Sequence, residues 1–191
     1  MASKTSELTA LTGANIATDD LIGVVDTSTT TTKKMTAAEF EIAIRNLSVT
    51  ARKVTLSGST SITAALHGDR MCYLTGTGSA YTQTLPAASG SGACFTFIVG
   101  AVNTSTHLIK VANSSDTIKG SLNLLDNDST AQTAYAASGT DDTITLNGGT
   151  TGGQIGDWVE LMDVATNVWA VRGQLVCPAG SNIADPLSAT V

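Results

Sequence analysis

The chain has 191 residues, a net charge of −6 and only 14% charged residues, below the usual share of about a quarter. No lysine or arginine run extends beyond Lys33-Lys34, and no apolar run approaches the roughly 20 residues of a membrane-spanning helix. Binding to nucleic acid through its phosphates and insertion into a membrane are therefore not predicted. The first residues lack the apolar region of a signal peptide, so we expect the protein to stay in the cytoplasm until it joins an assembly.

Residues 1–34 predict an extended arm and not a domain. One short strand is expected at residues 19–26, and the Thr/Ser run at residues 27–32 predicts a loop or an extended edge. This segment has too few apolar residues to form a core of its own. We expect its apolar side chains to be buried on a neighbouring subunit, and these are Leu8, Leu11, Ile16, Leu21 and Ile22.

Residues 35–50 predict a short helix and a linker, with the helix running from Met35 to Leu47. Thr36 and Glu39 have the spacing of a capping box, in which each side chain accepts a hydrogen bond from the other residue's amide. Met35 and Phe40 occupy the positions of a hydrophobic staple. An apolar face at helical spacing comprises Phe40, Ala43, Ile44 and Leu47.

Residues 51–177 predict one mainly β module. Short alternating segments recur about every ten residues with turn residues between them, which favours an antiparallel β-sandwich or jelly-roll-like fold. The most apolar segment, residues 93–99, is expected to be a central strand that places Phe95 and Phe97 in the core. Residues 126–142 are polar and predict a long insertion.

A hairpin near the C-terminus contains both tryptophans of a chain with only 4% aromatic residues. Residues 157–163 and 167–172 alternate between apolar and polar side chains, and Asn167 suits the turn between them. We expect Trp158 and Trp169 to lie in the core, because large rings bury the most apolar area per residue. Residues 178–191 have no periodicity and predict a second extended arm, with Ile183 and Leu187 as its partner-binding residues.

None of the residue groups that could carry chemistry matches an established site. The acidic groups at residues 126–128 and 141–142 lack the spacing of an EF-hand loop. The glycines at residues 76–78 and 148–153 lack the pattern of a nucleotide-binding loop and predict turns. Glu160 and Asp163 are three positions apart, so a regular strand would place them on opposite faces and not as a glycosidase pair.

Histidine and cysteine are equally uninformative about catalysis. His67 and His107 are far apart in sequence, and no nucleophile motif accompanies either of them. The chain has three cysteines, Cys72, Cys94 and Cys177. They are widely separated and lack CxxC spacing, and an odd number cannot all pair in disulfides, so we predict that they are buried, reduced thiols. We therefore predict no catalytic residue, no metal, no cofactor and no enzymatic activity.

The N-terminal quarter resembles the N-terminal segment of many tailed-bacteriophage virion proteins. The resemblance rests on three segments in order: Ser6-Glu7-Leu8, the strand from Asp19 to Asp26, and Lys33-Lys34-Met35-Thr36 leading into a helix with Glu39-Phe40. Fibres, decoration proteins and other structural proteins of phage share this pattern. The resemblance implies a place on the virion and does not distinguish the head from the tail.

The β module is similar, more loosely, to small phage domains with a characteristic C-terminal pattern. The matching segments are Asp142–Gly148, the glycines before Asp157 with the strand from Trp158 to Leu161, and Trp169–Gly173. The resemblance implies a β-rich, often trimeric module on the outside of a particle. It carries over no catalytic residues.

The sequence thus predicts a phage capsid decoration (cement or head-fibre) protein. It is expected to form a homotrimer, to bind the major capsid protein and to stabilise the outer shell. The alternative is a tail fibre or tail-adaptor component that contacts tail proteins. A glycan-binding tip is a third hypothesis, with Tyr73, Tyr81 and Tyr135 as its candidate aromatics. A depolymerase ranks last, because no pair of carboxylates in a groove can be identified.

Overall fold

The structure is a computed structural model of the chain. It describes residue 17, residue 19 and residues 21–26, 31–128 and 132–191. For residues 21–26, 31–33, 45 and 47–51 the description covers the backbone only. The chain divides into two compact units, with the boundary between Ala51 and Arg52.

The described part of the first unit is a hairpin followed by a helix. Strands β1 (Leu21–Asp26) and β2 (Thr31–Thr36) pair antiparallel, and helix α1 (Ala37–Ala51) begins directly after β2. The predicted capping box is confirmed: the Thr36 amide donates to Glu39 Oε2 at 2.7 Å, and the Glu39 amide donates to Thr36 Oγ1 at 3.1 Å. The predicted strand at residues 19–26 is also confirmed, as β1. Part of the predicted Thr/Ser loop and the first two residues of the predicted Met35–Leu47 helix belong to β2, and α1 extends to Ala51, where a linker was expected.

The second unit is mainly β, with two mixed sheets packed against each other as in a sandwich. Its elements, in chain order, are β3 (Lys53–Leu56), β4 (Thr60–Ser61), α2 (Ala64–His67), β5 (Met71–Leu74), β6 (Ala80–Thr84), β7 (Cys94–Val99), β8 (Thr106–Lys110), β9 (Thr117–Asp126), β10 (Gln132–Ala136), β11 (Thr143–Leu146), β12 (Trp158–Ala165), β13 (Val168–Cys177) and β14 (Leu187–Ser188). Within the described residues, one sheet has seven strands in the order β10-β9-β13-β12-β7-β5-β3, and the other has five in the order β14-β11-β8-β6-β4.

The first half of this module is a short stack of parallel coils. Strands β3, β5 and β7 pair parallel in the seven-stranded sheet, and β4, β6 and β8 pair parallel in the five-stranded sheet. The chain therefore alternates between the sheets, as in a β-solenoid of three coils. The prediction of a mainly β, sandwich-like module is confirmed. The sheets are mixed and not purely antiparallel: β12–β13, β12–β7, β10–β9, β11–β8 and β11–β14 pair antiparallel, whereas the coils and the long pair β9–β13 are parallel.

The core lies between the two sheets and confirms three of the four predicted core aromatics. Trp169, Phe95 and Phe97 are buried, and the Trp169 and Phe95 rings lie 5.6 Å apart between centroids. Trp158 is the exception. In β12 the buried residues are Val159, Leu161 and Asp163, so the alternation places Trp158 on the outer face, where it is half-buried.

Two segments that the sequence predicts as irregular belong to the module. Residues 132–136 form β10, which pairs with β9, because Tyr135 alternates with small residues and packs against the core. Residues 178–191 also differ from the predicted arm: β14 pairs with β11, Leu187 is buried, and Ile183 packs against the core. Ile183 and Leu187 therefore contact their own module.

Candidate interaction surface

The outer face of the seven-stranded sheet carries three cross-strand rows of side chains, which we call the outer apolar face. Strand pairing fixes the rows, since paired residues point to the same side of a sheet. The first row is Thr55, Tyr73, Ile98, Trp158 and Gln174; the second is Lys53, Met71, Thr96, Glu160 and Arg172; the third is Cys94, Met162 and Ala170.

Seven of the thirteen side chains in these rows are apolar or aromatic although the face points away from the core, and on β9 the rows continue with the polar Asn123, Ser121 and Lys119. Tyr73, Ile98 and Trp158 lie side by side on three adjacent strands and are half-buried. Met71 and Met162 flank them and are 43% and 39% exposed. Aromatic residues and methionine are enriched in protein interfaces, so the composition indicates an interaction surface.

One ion pair lies in the middle of the outer apolar face. Glu160 and Arg172 are paired across β12 and β13, and the Arg172 Nε donates to Glu160 Oε1 at 2.5 Å. The face also has one cation over an aromatic ring, because Lys53 Nζ lies 4.7 Å from the centroid of the Tyr73 ring. Glu160 and Arg172 therefore neutralise each other, and Lys53 adds one positive charge at the β3 side of the face.

The outer face of the five-stranded sheet provides an internal comparison. Its paired rows are rich in hydroxyl groups, with Leu108 as an apolar member; they are Thr82, Leu108 and Thr145, then Thr84, Lys110, Thr143 and Ser188. A sheet face in contact with water is normally polar. The two outer faces of one module therefore differ in chemistry, and only that of the seven-stranded sheet has the aromatic and methionine composition of an interface.

A second apolar surface lies on helix α1 in the first unit. Phe40, Ile42 and Ile44 are 42%, 58% and 50% exposed. Phe40 and Ile44 are one turn apart, whereas Ile42 points elsewhere on the helix. A helix with apolar residues on more than one side is normally buried in a larger assembly.

The acidic residues considered as calcium ligands instead fix loops of their own chain. Asp142 accepts hydrogen bonds from the Thr143 hydroxyl and from the amides of Thr190 and Val191, at 2.7–3.1 Å. Asp128 accepts from the Gly180 amide at 2.7 Å. Within the part of the chain that the structure describes, no three His, Cys, Asp or Glu residues are grouped so that they could hold a metal ion.

Asp163 and Glu160 lie on opposite faces of β12, as their spacing predicts, which counts against a glycosidase pair. The buried Asp163 carboxylate accepts hydrogen bonds from the amides of Ser89, Gly90 and Ser91 and from both serine hydroxyls. Burial alone would raise the pKa of Asp163, but these hydrogen bonds outweigh burial and hold it well below its usual range. The Asp163 carboxylate therefore holds the loop before β7 in place.

Asp157 closes the glycine-rich turn before β12. Its carboxylate accepts hydrogen bonds from the amides of Gly153, Gln154 and Val176 at 2.7–3.1 Å. Burial raises the pKa of Asp157, and the three amides offset only part of that effect. The predicted turns at residues 76–78 and 148–153 are confirmed, since each connects two strands.

The histidines are structural in this geometry. His67 ends α2, and its Nδ1 accepts from the Thr63 amide at 3.0 Å. His107 is buried between the sheets and stacks on Tyr81, with 6.2 Å between ring centroids. Burial lowers the pKa of His107, which favours its neutral form at neutral pH.

The three cysteines are free thiols. Cys72 and Cys177 are buried, as predicted, and burial raises the pKa of Cys72 to about 11. Cys94 differs from the prediction, because it is half-buried on the outer apolar face. Burial raises its pKa, and the nearby Glu160 adds to that effect.

The remaining predicted partner-binding residues belong to the first unit. Leu8, Leu11 and Ile16 lie outside the described residues. Leu21 and Ile22 begin β1, where they pair with Thr36 and Met35, and only their backbone is described. Of the candidate glycan-binding aromatics, Tyr81 stacks on His107 and the Tyr135 hydroxyl donates to the Ile183 carbonyl at 3.5 Å.

Sequence reasoning missed the outer apolar face as a unit. The signal was present in β12, where Trp158 and Met162 share the phase opposite to that of Val159 and Leu161. Large apolar residues in both phases of a strand indicate that both of its faces are partly covered. The partners on β5 and β7 could not be identified in the same way, because the pairs β5–β7 and β7–β12 join segments that are distant in sequence.

Comparison with known proteins found no match: no family model, no curated protein and no solved structure is similar to this chain. Among the described residues, no helix has the length and apolar character needed to cross a membrane. The assignment of function therefore depends on the sequence resemblance and on the surfaces described above.

Proposed function

We propose that this protein is a structural subunit of a bacteriophage particle, a capsid decoration protein that binds the outer surface of the head. Its partner there would be the major capsid protein, and its own oligomer would be a homotrimer. A subunit that binds only the assembled shell stabilises that shell by mass action. The mainly β module agrees with what the sequence resemblance implies for the fold.

The observation that carries this proposal is the exposed apolar surface of helix α1. The helix follows the segment that resembles phage virion proteins, and it begins with a defined capping box. Phe40, Ile42 and Ile44 nevertheless remain about half exposed. Apolar side chains on a well-defined helix are typical of an element that is buried only when the protein docks on its partner.

A test of this proposal changes one exposed apolar residue of the helix in the full chain. Ile44→Asp should abolish binding to purified particles, because it places a carboxylate in the buried contact. Asn46→Asp is the matched control, since Asn46 is an exposed polar residue of the same helix and the substitution adds the same charge. Binding is measured by co-sedimentation with particles that lack the protein. Equal binding of the Ile44→Asp variant and the wild type would contradict the proposed role of α1.

A tail fibre or tail-adaptor component is the second candidate function. The three stacked parallel coils favour it, because coil stacking can be extended along one axis into a shaft. Labelling the protein on intact particles and locating the label by electron microscopy separates the two candidates. Label over the whole head supports decoration, and label confined to the tail supports the fibre.

A further inference from the structure

We infer that the outer apolar face of the seven-stranded sheet is the surface through which copies of this chain associate with one another. This inference deepens the proposed function, on which it rests for the expectation that the protein self-associates, by naming the residues that form the contact. The central residues of that contact are Tyr73, Ile98, Trp158 and Met162.

The first argument is the difference between the two outer faces of the same module. Exposed apolar area is costly in water, so its burial stabilises a contact. The outer face of the five-stranded sheet is lined mostly by threonine, serine and lysine, which are half-buried except for the buried Thr143, and such a polar face needs no apolar partner. The seven-stranded sheet presents aromatic, isoleucine and methionine side chains on adjacent strands, which is the surface that packs against a second sheet.

The second argument selects the occupant by charge. Glu160 and Arg172 lie next to each other at the centre of the face, so it carries one negative and one positive group there. A partner surface of a single sign would match only one of them. A second copy offers Arg172 to Glu160 and Glu160 to Arg172, so the face is complementary to itself, and such a reciprocal contact pairs two copies about a two-fold axis.

The third argument comes from the shape and stiffness of the surface. The rows lie on strands fixed by continuous pairing from β3 to β13, so the backbone that carries the side chains is held in place before any contact forms. A contact that needs little ordering loses less conformational entropy on association. A loop or an irregular surface would not give this advantage.

The inference is tested by sedimentation velocity on the full-length protein and two single variants. Ile98→Lys places a charge in the middle of the outer apolar face and should convert the oligomer into a monomer. Leu108→Lys is the matched control, because Leu108 is a half-buried apolar residue on the outer face of the other sheet. It should sediment as the wild type does. Circular dichroism and thermal unfolding establish that each variant is folded.

A second measurement uses the wild-type protein and does not depend on a variant. Cys94 is half-buried on the outer apolar face, whereas Cys72 and Cys177 are buried in the core. Modification of Cys94 by a maleimide should be slow in concentrated protein and should accelerate on dilution, when the oligomer dissociates. A modification rate that does not change with protein concentration would contradict the inference.

The outcomes separate this inference from the proposed function. A monomeric wild type, or an Ile98→Lys variant that stays oligomeric, overturns the inference and leaves particle binding untouched. A wild type that forms dimers sensitive to Ile98→Lys supports it and overturns the trimer expected under the proposed function. A trimer with the same sensitivity overturns the reciprocal contact, because three copies cannot share a two-fold interface. If the protein self-associates in this way but is absent from particles, the proposed function fails and the inference stands.

Discussion

The buried carboxylate of Asp163 accepts two hydrogen bonds from Ser91, one from its hydroxyl at 2.7 Å and one from its amide at 3.0 Å. Ser89 and Gly90 contribute further bonds to the same carboxylate, so one side chain of β12 holds the loop that leads into β7. The strand and the loop are more than seventy residues apart in sequence. This single carboxylate therefore connects the parallel coils to the tryptophan hairpin.

Asp163→Asn should lower the free energy of unfolding by about 2–4 kcal/mol, because hydrogen bonds to a charged group contribute more than neutral ones. The amide also places two donors among groups that themselves donate. Urea denaturation measures the change. Glu160→Gln is the control on the same strand, and it should cost less than about 1 kcal/mol because the Glu160–Arg172 pair is at the surface. Equal losses for the two variants would contradict the role given to Asp163.

The protein should lose stability in two stages as the pH falls. Burial lowers the pKa of His107 in the folded state. Neutral His107 therefore contributes to the free energy of unfolding above its unfolded pKa of about 6.5, and this contribution is lost as the pH falls towards the folded pKa. The pKa of Asp142 and that of Asp163 are also lowered, because hydrogen bonds outweigh burial. Their contribution is lost below about pH 4. The pKa of Asp157 is raised, so protonation of Asp157 as the pH falls increases the free energy of unfolding.

Urea denaturation near neutral pH, at about pH 5 and at about pH 3 separates these stages. In His107→Phe the ring stacked on Tyr81 is retained without a titratable group. This variant should lose less stability than the wild type between neutral pH and about pH 5, and the loss at lower pH should remain. If His107→Phe loses as much stability as the wild type between neutral pH and about pH 5, another titratable group causes that loss.

The two tryptophans should respond differently to truncation. Trp169 is buried against Phe95, so Trp169→Ala should cost about 3–5 kcal/mol of stability or prevent folding. Trp158 is half-buried on the outer apolar face, so Trp158→Ala should cost the isolated fold less and should weaken self-association. Thermal unfolding and sedimentation of the two variants test this difference. Comparable losses of stability would contradict the assignment of Trp158 to the outer face.

Gly120 is required where β9 meets β13. Its φ is +120°, and a Cβ atom there would lie 2.1 Å from the Val171 carbonyl oxygen. Gly120→Ala should therefore destabilise the module by more than about 2 kcal/mol, because the pairing strand would have to shift. Gly139→Ala is the control, since no atom lies within 4 Å of its added methyl group. It should change stability by less than about 0.5 kcal/mol in a denaturation experiment.

Local features were predictable from the sequence, because they depend on neighbouring residues. The capping box of Thr36 and Glu39 and the tryptophan hairpin are confirmed, as is the turn at Asn167, which has φ +62°. The apolar segment around Phe95 and Phe97 is confirmed as a buried central strand for the same reason. In each case a short pattern specifies the structure.

The parallel coils, the place of Trp158 and the C-terminal segment were not predictable in this way. Parallel pairing of β3, β5 and β7 joins segments about twenty residues apart, and alternation alone does not distinguish it from antiparallel pairing. Trp158 was predicted to lie in the core because of its size, whereas its position in the alternation of β12 places its side chain on the outer face of the sheet. Residues 187–188 form a strand only because the edge of β11 is available to pair with them.

The most direct test of the central proposal is the copy number of this chain in purified phage particles, measured by quantitative mass spectrometry. The account predicts hundreds of copies in a fixed ratio to the major shell protein. A few to a few dozen copies would contradict decoration and would indicate the tail or a vertex fibre. Absence of the chain from purified particles would contradict a structural role in the virion altogether.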